Sequence, residues 1–410
     1  MSKTNSSKDT YCKFPFSQLA IKDFQDGKLQ DAWPCCNMGN LNYGETRSLE
    51  IENVDKLTPE EIFYHLRMEK LRKNLSNGVR DAACEVCWRM EDDGITSHRQ
   101  HSLSGHETPV YDPSLEIIDI TTSNICNLKC RMCNPGASNL LMEDHNFFKQ
   151  NNLLDEFYAV AGERWGSSYA KVTQKSIQWD WLFNNMDKIT ILKASGGEPF
   201  LDKHILELLK KCVDKGIAKD ISLMFHTNGT QFNKQIMQLL KHFHNHHTLS
   251  VDGTGSTYEY IRYPAKFSDI NKNLNYYISY MNDSRSEVDF NFVVSSMNLF
   301  NIADFISWVN KINARCFVSF TEVYPINRGT SIRHLPKYLL EISKQQIEEL
   351  LTDVNSHMKI SDIIQQIDHA ILFNQENKDK MKRELELFDK SRNQDYRDFL
   401  DPLLVDWLDE

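Results

Sequence analysis

Between residues 115 and 322, short runs of β-branched and aromatic residues alternate with longer stretches of helical periodicity. The runs are Leu115–Thr121, Ile189–Lys193, Ile221–His226, Thr248–Val251, Val288–Val294 and Cys316–Glu322. After the first they recur about every 25–40 residues, the rhythm of βα units in a parallel sheet. About six units are too few to close an eight-stranded barrel. The pattern therefore predicts an α/β fold with an open, partial (β/α)6 TIM-like barrel, whose chemistry belongs at the C-terminal ends of its strands.

The flanks read differently. Residues 1 to about 110 look irregular, with one helix starting near Thr58-Pro59-Glu60-Glu61, where Thr58 can cap and Pro59 suits the first turn. Ile62, Leu66, Met68 and Leu71 follow at roughly helical spacing. From about 331 the chain is charged and helical, with helices expected over Ser343–His357 and Lys378–Asp389. These helices read as a solvated face, with Phe399, Leu403, Leu404 and Trp407 packing on the domain. The expected division is 1–110, 111–330 and 331–410.

Composition narrows the class. The 410 residues are 40% hydrophobic and 11% aromatic, enough apolar surface for a packed core. No apolar run approaches the roughly 18 residues of a membrane span, and the polar first ten residues lack a signal-peptide stretch. A cytoplasmic protein is expected. A net charge of −10 gives no broad electrostatic footprint for nucleic acid, which is not expected as the main partner.

The ten cysteines change the picture most. Clustered cysteines in an intracellular chain point to metal rather than disulfides. Cys212 and Cys316 stand alone among apolar residues and read as core. Cys126, Cys130 and Cys133 form C-x3-C-x2-C just after the first run. Three thiolates on one loop can hold a [4Fe–4S] cluster and leave one iron open, because such a cluster usually takes four cysteines. By themselves they also permit a zinc loop with a fourth ligand elsewhere, or unligated thiols.

Later strand ends carry further candidates. Ser195-Gly196-Gly197-Glu198-Pro199 combines a backbone that a ligand can approach with a carboxylate that can accept from an ammonium group. His226-Thr227-Asn228-Gly229, Ser250-Val251-Asp252-Gly253 with Arg262, and Ser296-Met297-Asn298 follow. The arginine fork suits a carboxylate. Asn228 lies in a turn motif, Arg262 also reads as a surface charge, and Asn298 equally as a cap for a helix near Leu299. Glu322, at the sixth run's end, reads as a rim carboxylate or a substrate contact.

Taken together, these motifs resemble the radical S-adenosylmethionine (SAM) superfamily. The resemblance covers about 300 residues. It implies that Cys126, Cys130 and Cys133 bind a [4Fe–4S] cluster whose open iron is chelated by SAM. It assigns Gly196, Gly197 and Glu198 to the SAM amino group, and Ser250 and Arg262 to its carboxylate. Asn228, Asp252 and Asn298 would line the cofactor, and Met132 would pack near adenine where many members have an aromatic residue. The implied activity is reductive cleavage of SAM to a 5′-deoxyadenosyl radical that abstracts a substrate hydrogen, fed by an electron donor.

Cys12, Cys35 or Cys36, Cys84 and Cys87 would supply four thiolates, for a second [4Fe–4S] cluster or a structural zinc. Their pattern resembles SPASM and twitch modules, which carry auxiliary clusters; here the module precedes the core. Relatives with such modules modify peptides or proteins, so that is the substrate expected. The other readings are dehydrogenation or epimerisation of a carbohydrate or nucleoside, and a non-catalytic zinc-stabilised binding protein. His242, His244, His246 and His247 read as an exposed turn. No Gly-x-Ser-x-Gly or P-loop motif occurs.

Overall fold

The computed structural model describes residues 10–25, 28–36, 38, 49, 51–92, 97–103, 109–121, 123–162, 176–280, 286–312, 316–323, 327–350 and 360–410. Two strands form where the sequence predicts irregular chain, β1 (Gln18–Gln25) and β2 (Lys28–Trp33). Six more lie close to the expected runs: β3 (Ile117–Thr121), β4 (Ile191–Ser195), β5 (Ser222–Thr227), β6 (His244–Ser250), β7 (Ser286–Val294) and β8 (Val318–Glu322). The eight are hydrogen-bonded in the order β2-β1-β3-β4-β5-β6-β7-β8. The β1–β2 pair is antiparallel, and β1–β3, β3–β4, β6–β7 and β7–β8 are parallel. This mostly parallel sheet fits a partial TIM-like α/β fold.

The chain folds as two compact units. The first comprises residues 1–123, 170–195 and 202–224. Its β1 is held by pairing rather than by its own pattern: Leu19 stands opposite Ile118 and Ile21 opposite Ile120, all fully buried. The polar Lys22-Asp23 that follows hides this strand from a periodicity reading. The expected helix at Thr58 starts with a capping box, Thr58 N–H donating to Glu61 at 2.8 Å. It then breaks at Tyr64 and resumes over Leu66–Ser76, which leaves Leu66 exposed.

The second unit comprises 124–169, 196–201 and 225–410. Here three expectations are corrected. His244 begins β6, and His247 is fully buried among Phe200, Phe225, Phe232 and Tyr277 rather than in an exposed turn. Burial pushes its imidazole down to about 3, so it sits neutral as a core side chain. The C-terminal helix Lys378–Arg392 is not a solvated face either. It buries Met381, Leu385, Leu387 and Phe388 together with Glu384, Asp389 and Arg392. Leu404 and Trp407 pack as expected, whereas Leu403 is exposed. Cys212 and Cys316 are buried, as expected. The expected helix Ser343–His357 forms as Lys337–Glu349, and residues 351–359 lie outside the described residues. No described helix is long and apolar enough to cross a membrane.

Candidate active site

The C-x3-C-x2-C loop is built by its own backbone and its neighbours. Cys133 N–H donates to Cys130 O at 3.0 Å, which folds the last two thiols into one turn. Cys126 N–H donates to Asn139 Oδ1 at 3.0 Å, and Ser138 Oγ to Leu128 O at 2.6 Å. Lys129 and Arg131 N–H donate to Tyr263 and Ile261 carbonyls at 2.6 and 2.9 Å. Cys130 is buried, and Cys126, Met132 and Cys133 are half-buried. Burial pushes the Cys130 thiol up to about 12, against the pull of Arg262.

Gly196 and Gly197 carry the chain past this loop. Gly196 has φ +123°, a conformation that needs glycine. A Cβ on Gly197 would lie 2.6 Å from the Ile125 carbonyl carbon, so no side chain fits there. Glu198 follows, fully buried. Its N–H donates to Ile125 O at 2.7 Å, just before Cys126. Its carboxylate accepts from Thr227 Oγ1 (2.8 Å), Asn228 N–H (2.8 Å) and Phe200 N–H (3.2 Å). About one acceptor position remains free. Burial pushes Glu198 up to about 7, against those hydrogen bonds and Arg262.

Asn228 joins these pieces. Its N–H meets Glu198, its Nδ2 donates to Asn127 Oδ1 at 3.0 Å, and Nδ2 lies 3.8 Å from Cys126 Sγ. Ser250 ends β6 half-buried, opposite Asn291. Asp252 is fully buried, accepts from Val293 N–H at 2.8 Å and pairs with Arg262 Nη2 at 2.6 Å. Arg262 is buried rather than a surface charge, and its Nη1 lies 3.8 Å from Cys130 Sγ. Burial opposes its charge, and Asp252 and Cys130 outweigh burial, so it stays above its ordinary value.

Asn298 does not cap the helix after it. Its amide donates to Asp252 O and Val293 O, and its carbonyl accepts from Ser295 N–H and Oγ. All its hydrogen-bonding positions therefore go to tying the ends of β6 and β7 together. Glu322 pairs with Arg333 at 2.8 Å.

A sequence reading misses the supports of the loop. Arg131 is 1% exposed, and its Nη2 meets Asp389 at 2.6 Å and Gln394 at 3.0 Å. Arg328 Nη2 donates to Arg131 O at 2.9 Å, and its guanidinium pairs with Glu384. No local pattern marks partners that stand 258 residues apart.

In the first unit, Cys12, Cys35, Cys84 and Cys87 line one cavity with Phe14, Met38 and His98. Cys36 is exposed and turns instead towards His98 Nε2, at 3.7 Å. Burial pushes Cys12 up to about 12 and Cys84 well above its ordinary value. Among the described residues, no three metal-ligating side chains close around a single ion.

Residues 120–306 match the family model of the Radical SAM superfamily. The span contains the cysteine loop, Glu198, Asn228, Asp252, Arg262 and Asn298. Similar solved structures include native anSMEcpe with bound AdoMet: 17% identity, 60% of this chain, 64% of that chain, TM-score 0.40. Streptococcus suis SuiB bound to precursor peptide SuiA is similar at 15% identity, over 67% of this chain and 61% of that chain, TM-score 0.38. The chain thus spans less than two thirds of the length of each. No protein of curated function matches.

Proposed function

We propose that this chain is a radical SAM enzyme that abstracts a hydrogen atom from a peptide or protein. The observation that carries the reading is one convergence. Asn228 bridges Glu198 and Cys126, while Arg262, held by Asp252, lies against Cys130. Two loop thiols, an ammonium acceptor and a carboxylate-binding cation thereby come to one place, with Cys133 held one backbone hydrogen bond from Cys130. The donor set fits an iron–sulfur cluster, with Cys126, Cys130 and Cys133 as its holders. A cluster held there would, with SAM bound, supply the electron for reductive cleavage of SAM.

The protein's part is binding and orientation. Glu198 offers its remaining lone pair to the SAM ammonium group. Ser250 and Arg262 receive the carboxylate, and Asn298 fixes the chain that carries Asp252. Met132 is assigned to adenine by resemblance. Residues 1–110 act as an auxiliary-cluster module, 111–330 as the radical core and 331–410 as a helical region. In the module Cys12, Cys35, Cys84 and Cys87 are the ligands favoured, since these four share a cavity and Cys36 does not line it. A peptide substrate follows from the resemblance of that module; a carbohydrate or nucleoside is the second reading.

Anaerobic reconstitution should give about eight irons and eight sulfides per chain. Replacing Cys126, Cys130 and Cys133 together with alanine should leave about four and abolish 5′-deoxyadenosine formation. Zinc without sulfide would favour the binding-protein reading and overturn this one.

Glu198 adds a pH test. Its value of about 7 means that it is protonated in acid, whereas an ammonium partner needs the carboxylate. SAM affinity should therefore fall as pH drops below about 7, approaching tenfold per unit, in titrations from about pH 8 to 6. Glu198→Gln should bind weakly and lose that dependence. For stability the sign is opposite: burial raises the value, so charging Glu198 costs stability as pH rises from the ordinary glutamate range through about 7.

A further inference from the structure

Asn228 directly follows β5, and its buried side-chain amide closes a ring with two other side chains. Asn127 Nδ2 donates to Thr230 Oγ1 at 2.9 Å, Thr230 Oγ1 to Asn228 Oδ1 at 2.6 Å, and Asn228 Nδ2 back to Asn127 Oδ1 at 3.0 Å. A backbone group fixes which way the Asn228 amide points. Thr230 N–H can only donate, and it lies 3.0 Å from one atom of that amide, so this atom is the oxygen. The nitrogen therefore faces the cysteine loop.

That nitrogen carries two hydrogens. One goes to Asn127, and Cys126 Sγ stands 3.8 Å away to receive the other. The turn itself does not need the nitrogen, because an Asx turn uses only Oδ1, which aspartate offers as well. Burial pushes the Cys126 thiol up, and hydrogen bonds from Leu128, Ser138 and Asn228 work against it. Arg262 Nη1 stands in the same relation to Cys130, also at 3.8 Å. Two thiols of the loop thus face N–H donors brought from more than 100 residues along the chain.

We propose that Asn228 Nδ2 donates to the Cys126 thiolate when that residue ligates a cluster, and so sets the cluster's reduction potential. This rests on the cluster-binding reading of the three-cysteine loop. On reduction, one electron from a low-potential one-electron donor enters the cluster; no bond breaks and no proton moves. Negative charge on the ligand sulfurs grows, so a donor aimed at one of them favours the reduced form. Thr230 is a positioning residue that keeps the amide nitrogen turned to the sulfur.

The test is an EPR-monitored redox titration of the anaerobically reconstituted full chain, without SAM. The wave missing when Cys126, Cys130 and Cys133 are all alanine identifies the loop cluster. Asn228→Ala should move that wave to lower potential. At a fixed ambient potential the ratio of reduced to oxidised cluster should fall about three- to tenfold, a shift of about 30–60 mV. The wave of the second cluster should stay in place. In wild-type protein whose asparagines carry a heavy-nitrogen label in the side-chain amide, pulsed EPR of the reduced loop cluster should show coupling to that nitrogen. This second readout needs no variant, so it decides the matter if Asn228→Ala fails to hold its iron.

An unmoved midpoint, or a wild-type spectrum without nitrogen coupling, would overturn the proposal. Weaker SAM binding at an unmoved midpoint would make Asn228 a SAM contact instead. Equal shifts of both waves would reduce the effect to a general disturbance of the fold. Wild-type protein with no loop-cluster wave would bring down the site reading itself, which no result with Asn228→Ala can do.

Discussion

Gly197→Ala should yield a folded protein that retains little iron in the three-cysteine loop. The new Cβ would run into the backbone of Ile125, lying 2.6 Å from its carbonyl carbon, and would sit 2.9 Å from the carbonyl carbon of Asn124. These are main-chain atoms, so no rotamer change relieves the contact. The chain at 124–125 must move, and Cys126 is the next residue. The movement also breaks the Glu198 N–H bond to Ile125 O and shifts the carboxylate that holds Asn228. Overpacking of this kind costs about 1–3 kcal/mol, which a folded domain survives. The geometry of the site is lost before the fold. Iron and sulfide per chain, read beside a thermal melt, check this. Full iron content with unaltered SAM affinity would mean that the loop gives way without consequence.

Asp389→Ala should be the most destabilising of the variants considered, by about 3–5 kcal/mol. Asp389 accepts from Arg131 Nη2 (2.6 Å), Tyr260 Oη (2.8 Å) and Tyr396 N–H (2.7 Å). Arg131 lies 1% exposed, 3.5 Å above the Tyr260 ring. Without Asp389 its charge stays buried with only Gln394 opposite that nitrogen. Arg131 stands between Cys130 and Met132, so its displacement reaches the cluster loop. Asp389→Asn keeps acceptors in place and should lose less. Replacing the pair with apolar residues, Arg131→Met with Asp389→Leu, should recover much of the stability, because such exchanges are often neutral. Iron retention should not recover with it, since the arginine also anchors the loop through its Nε bond to Tyr260 O at 3.0 Å. Denaturant unfolding and iron analysis separate the two effects. Recovery of both would mean that the arginine only fills space.

The buried ion pairs recast the C-terminal region. Arg131–Asp389, Arg328–Glu384 and Arg392–Asp144 each join the helix Lys378–Arg392 to chain at or near the cluster loop. Read as sequence, that helix is a run of lysines and glutamates, which is the ordinary signature of a solvated surface. A charged side chain looks alike in sequence whether it meets water or an opposite charge. Only its partner distinguishes the two, and here the partners are far away along the chain.

The same contrast runs through the rest of the molecule. Three cysteines within eight residues are a local fact, and local backbone geometry is enough to gather their thiols on one loop. The recurring apolar runs likewise specify parallel strands, because each strand's burial is written in its own side chains. Gly-Gly-Glu is legible for a similar reason: glycine is required wherever a side chain has no room. Sequence alone therefore determined the βα architecture, the cysteine loop and the residues worth examining at the strand ends. Tertiary structure decided what depends on distant partners. It made β1 a strand by setting Leu19 and Ile21 against Ile118 and Ile120. It turned Cys35 rather than Cys36 towards the cavity, and it buried His247 among aromatic rings. It committed Asn298 to Asp252, Val293 and Ser295, where it ties the ends of β6 and β7 together. Short-range spacing encodes local shape, whereas burial and charge pairing arise only when segments remote in the chain are packed together.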